Sequence, residues 1–158
     1  LLSYHPEETR RCLALARPLA DSGVPVAFKF HPATKVEDYQ HLLPGNAALI
    51  KGGLAESLAG VSLVIGSGSG ALGEAVAMGV PAINIEPADG LGLNYLPDYG
   101  QGELWERAAT TEELFAAKDK LLAVVKGGGA KREESVRHFR SLIFGEPTKD
   151  RIVQAFDL

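Results

Sequence analysis

Two short runs, VSLVI at 61–65 and PAINIE at 81–86, are apolar at almost every position and flank one helix-length segment, GALGEAVAM at 70–78. A strand that is apolar on both faces has to be covered on both faces, which is the condition of a parallel sheet between helical layers. Parallel neighbours need a crossover, and such crossovers are right-handed. These runs therefore commit the chain to an α/β architecture. Its 158 residues, 46% hydrophobic and 23% charged, suffice for one domain with a sizeable core.

The same alternation, punctuated by Gly and Pro, continues along the chain. It predicts strands at 1–4, 25–30, 47–50, 61–65, 81–86 and 103–108, and helices at 7–21, 36–43, 54–58, 70–78 and 111–126, with an irregular stretch at 87–102. The triplet Gly127-Gly128-Gly129 marks a flexible joint, and helices at 131–144 and 148–156 follow it, with Pro147 near the start of the last. The expected fold is a doubly wound, six-stranded parallel sheet, Rossmann-like, of order 3-2-1-4-5-6. Residues 1–126 form its ligand-binding domain, and 127–158 form a helical tail packed on it or on a preceding N-terminal domain. In that order the ligand crevice opens at the carboxyl edge, between the first and fourth strands. The chain opens at a predicted strand without an initiator methionine, and is expected to be part of a longer protein.

A net charge of -4 argues against nucleic acid as a partner. Cys12 is the single cysteine, which excludes an internal disulfide and suits a reducing compartment. His5, His31, His41 and His138 are scattered, so no metal site is predicted. No apolar run approaches the roughly 18 residues of a membrane-spanning helix, and a soluble domain is expected.

Gly68-Ser69-Gly70-Ala71-Leu72-Gly73 fits the GxGxxG dinucleotide fingerprint, and Glu86 ends the next strand where a ribose-binding acid would stand. Its position argues otherwise, because that fingerprint occupies the first strand-to-helix turn of its unit and here three predicted strands precede it. What survives is the physics of the turn. Glycine admits positive φ and close approach, and the free N–H groups of a helix start favour an anion. Ser67 and Ser69 add hydroxyls to the backbone of Gly68 and Gly70. The helix at 7 carries Glu7 and Glu8 in its opening turn, whereas the helix at 70 has no charge before Glu74, so the second is the better anion site. His31-Pro32 follows the second strand on the same edge, where the imidazole can donate to a phosphate and offset leaving-group charge. Lys29 and Lys35 add positive potential there. Each feature also has a plain structural explanation: a tight turn for the glycines, a solvated turn for His31, and a favourable dipole contact for Glu74.

The KFHP strand end, the VIGSGSGALGEA turn and the spacing Glu74-x4-Gly79-x-Pro81 together resemble the C-terminal, donor-binding half of GT-B glycosyltransferases. Within that superfamily the likeness is nearest to bacterial surface-polysaccharide and capsule biosynthesis enzymes with HP and Ser-Ser or Ser-Thr motifs, and it runs from about residue 1 to 122. The resemblance implies that His31, as the catalytic candidate, and Pro32 meet the nucleotide-phosphate part of the donor. It implies that Ser69 supplies the first hydroxyl of the pair, while Gly70 replaces the second and leaves that contact to backbone. Glu74 falls where the superfamily often holds the ribose hydroxyls. Glu86, Asp89 and Asn94 are candidates for sugar or base recognition by their place around the loop after the fifth strand. The implied function is binding of a nucleotide-sugar, or a CMP- or CDP-activated donor, as substrate, with no cofactor and without a metal, in keeping with the lack of a DxD motif. Acceptor and general base would lie on an N-terminal domain of the same protein, so this fragment alone would bind donor without turnover. The resemblance places the chemistry in the cytoplasm and allows peripheral association of the full-length protein with the inner face of the membrane. The alternatives are half of a nucleotide-sugar 2-epimerase-like enzyme or hydrolase on the same fold, and a non-catalytic α/β module that completes a split enzyme.

Overall fold

A computed structural model describes residues 1–3, 5–45, 47–86 and 94–145. The fold is α/β with parallel strands. β1 (Ala27–Phe28) pairs with β2 (Ala48–Leu49) in a two-stranded sheet, while β3 (Val64–Gly66), β4 (Ala82–Ile85) and β5 (Trp105–Ala108) form a three-stranded sheet in that order. The helices are α1 (Pro6–Asp21), α2 (Leu54–Leu58), α3 (Gly70–Ala77), α4 (Thr111–Gly127) and α5 (Gly129–Ile143), with a 3₁₀ segment at Val36–Leu42.

The expectation of one six-stranded sheet is corrected: the described residues form five strands in two sheets. Residues 1–3, read as the first strand, lie between those sheets and make one bond to each side. Leu2 N–H donates to the Lys29 carbonyl at 2.9 Å, and the Leu1 amine to the Ile65 carbonyl at 2.5 Å. Single bonds on each flank do not make a ladder. β1 and β2 also shrink to two residues each, and both residues of β2 are exposed. A pair with so little cover has no reason to extend.

The surroundings of β4 explain why its sequence is apolar at every position but Asn84. Ile83 and Ile85 point into a core built by α1 and α4 with Leu13, Leu19, Leu114 and Leu121. Ala82 faces a second core, where Leu72 and Val76 of α3 meet Trp105 and Phe139. α3 ends in a Schellman turn: Gly79 at φ +86 donates to Val76 O at 2.9 Å, and Val80 donates to Ala75 O at 2.9 Å. The Arg132 guanidinium of α5 then caps the Gly79 carbonyl at 2.8 Å. The helix stop expected at Gly79 is present, and the strand expected to start at Pro81 begins at Ala82.

The glycine triplet is not an open joint. Gly128 is the shared cap of α4 and α5, and a β-carbon on it would stand 2.7 Å from Arg132 Cβ and 2.8 Å from Val124 O. The helix expected at 148–156 lies outside the described residues. No helix among those described is long and apolar enough to cross a membrane.

Burial pushes the Cys12 thiol up to about 11, with a lesser opposing pull from Arg11. Urea unfolding separates the glycines of the α4–α5 joint. Gly128→Ala should destabilise by about 1–3 kcal/mol through overpacking. Gly127→Ala, with nothing within 4 Å of the added carbon, should be neutral or stabilising in the same measurement.

Candidate functional site at the start of α3

Where β3 ends, the chain turns into α3 through Ser67-Gly68-Ser69. Gly68 takes φ +50, the left-handed region. Ser69 is extended and caps the helix: its Oγ accepts from Ala71 N at 3.3 Å and its carbonyl accepts from Leu72 N at 3.1 Å. Those bonds occupy the second and third N–H groups of α3. The first, on Gly70, has no place in the helix ladder, and a β-carbon built on this exposed residue would meet nothing within 4 Å. Because Ser69 Oγ is an acceptor toward Ala71, its own O–H remains able to donate outward. The first turn of α3 holds no acidic residue. The start of α3 thus offers two donors and a positive dipole end to an anion.

The glycines have separate tasks. Gly66 admits the Leu1 carbonyl, which would lie 3.0 Å from an added β-carbon, and Gly73 makes room for Ile143 of α5, at 3.2 Å from one. The last glycine of the GxGxxG pattern therefore serves helix packing.

Other expected site residues sit in their own local structures. His31 and Pro32 are exposed in a turn after β1, where His31 Nδ1 accepts from Ala33 N at 3.1 Å. β1 and β3 flank residues 1–3, so the His31 turn and the glycine turn follow strands on either side of that segment. Glu74 is exposed one turn into α3, on a side chain that leans back toward the helix start. Glu86 follows β4 and faces Arg107 Nη1 at 3.4 Å, and Arg107 lies 5.4 Å from the centre of the Trp105 ring. Asn94 closes its own turn, accepting from Leu96 N at 3.1 Å. Ser67 is buried beneath the turn. Asp89 lies outside the described residues.

No family model matches this chain, and no curated protein matches it. The chemistry of the site therefore rests on its own geometry.

Two residues that sequence reasoning passed over belong to this edge. Asn84, buried in β4, accepts the Gly68 N–H on its Oδ1 at 3.4 Å. Its signal was a polar residue inside an apolar strand. Arg107 stands in register with Asn84 on β5 and holds Glu86. Lys29, expected to add positive potential here, instead donates its ammonium to the Gly52 carbonyl. It lines a cleft of about 500 Å³ where Val24, Val61 and Leu63 converge with Leu1 and Leu58, and that cleft includes none of the site residues. Among the described residues no group of three or more His, Cys, Asp or Glu side chains is placed to hold a metal ion.

The glycines should separate on substitution. Gly68→Ala should destabilise by about 1–2 kcal/mol, the penalty of a β-carbon in the left-handed region. Gly70→Ala should stabilise by up to about 1 kcal/mol, since it adds a helix former in open space. Urea unfolding of the two variants measures both.

Proposed function

We propose that this chain is the donor-binding half of a GT-B glycosyltransferase of cell-surface polysaccharide synthesis, and that the α3 start receives the phosphates of a nucleotide-activated donor. The observation that carries the reading is the pair of unspent donors, the Gly70 N–H and the Ser69 O–H, at a helix start free of acidic side chains. His31 supports it as an exposed polar side chain in the turn after β1. In this reading the donors offset the charge that gathers on the leaving phosphate as the glycosyl bond breaks. The acceptor and its base come from another domain.

Titration calorimetry with UDP, CMP, CDP and NAD tests the reading. At least one pyrimidine nucleotide should bind, and His31→Ala should weaken it about tenfold, the worth of one charge-assisted hydrogen bond. Ser69→Gly should do the same while keeping most of the helix cap. Binding of none of these nucleotides, or of NAD alone, defeats the proposal.

A further inference from the structure

Every residue of β4 is buried, and Asn84 is the only polar one. Its neighbours Ile83 and Ile85 are 0% exposed, and Asn84 itself is 5% exposed. An amide in such a place is unfavourable unless it is bonded. Its Oδ1 accepts from Gly68, 16 residues back, at 3.4 Å. The register explains the reach: Asn84 lies directly opposite Gly66, on the strand whose continuation is the glycine turn. Gly68 is also the left-handed residue of that turn. The next two residues carry the Ser69 hydroxyl and the Gly70 N–H, so the amide holds the hinge that aims both.

We propose that Asn84 is the positioning residue of the glycine turn, and that an amide rather than a carboxylate at this place keeps the turn suited to an anionic ligand. A carboxylate would accept the same N–H, and more strongly because of its charge. It would also set a negative charge directly under the turn, where the first turn of α3 has none. The second half of the proposal rests on the donor-site reading above; the first half does not.

The test uses the whole chain labelled with ¹⁵N, as wild type, Asn84→Ala, Asn84→Asp and Ile83→Val. The last loosens the same strand on its opposite face and serves as the control for lost stability. Without ligand, hydrogen exchange at the Gly68 amide should speed up at least tenfold in Asn84→Ala beyond any change in Ile83→Val, and should stay near wild type in Asn84→Asp. With UDP and CDP as probes at pH 8.5, Asn84→Asp should bind at least tenfold more weakly than wild type although its Gly68 remains protected. Unchanged exchange at Gly68 in Asn84→Ala overturns the positioning role. Undiminished affinity in Asn84→Asp overturns the charge argument. If the wild type binds no nucleotide, the donor-site reading and the charge argument fall together, while exchange at Gly68 still decides the positioning role.

Discussion

Three stretches of chain meet at Gly66 too closely for a side chain. A β-carbon there would stand 3.0 Å from the Leu1 carbonyl and 3.2 Å from Leu72 Cδ2. The bare backbone lets residues 1–3 lie against β3, and through them the β1–β2 pair is tied to the three-stranded sheet. It also lets α3 settle with Leu72 fully in the core. The carboxyl edge, the glycine turn and the direction of α3 all follow from that contact.

The sequence was most readable where a residue's own preference and its surroundings agree. The two apolar runs became β3 and β4, because strands covered on both faces have little choice of composition. The start of α3 was legible from Ser69 and its uncharged first turn, and the stop from Gly79. The extent of β1 and β2 was not legible: a ladder depends on its neighbours, and residues 25–30 carry no sign that their partner strand is exposed on both faces. The same holds at the site. The Glu86–Arg107 pair joins positions 21 residues apart, and nothing local to either announces it. Asn84 was visible as an exception to the pattern of its strand, but its partner could be named only once β3 and β4 were in register.

Electrostatically the edge is quieter than its list of charges suggests. Arg107 answers Glu86, and both are half-exposed, so the pair adds little to stability. Its effect is local: the acid nearest the end of β4 faces a cation. The field at the glycine turn comes from the backbone of α3 and the neutral side chains Ser69 and Asn84, with Glu74 as the charge one turn further along the helix. Dipoles fixed in this way act without counter-charges that would have to be displaced.

Cys12 is packed in the α1 core with its thiol held to about 11, so near neutral pH the folded surface carries no reactive sulfur. The protein is therefore its own one-thiol background for spectroscopy. Gly70→Cys would place a single accessible thiol at the lip of the glycine turn, where an added β-carbon meets nothing within 4 Å. A fluorophore or spin label fixed there would report directly on what enters the carboxyl edge, with the native cysteine left in place.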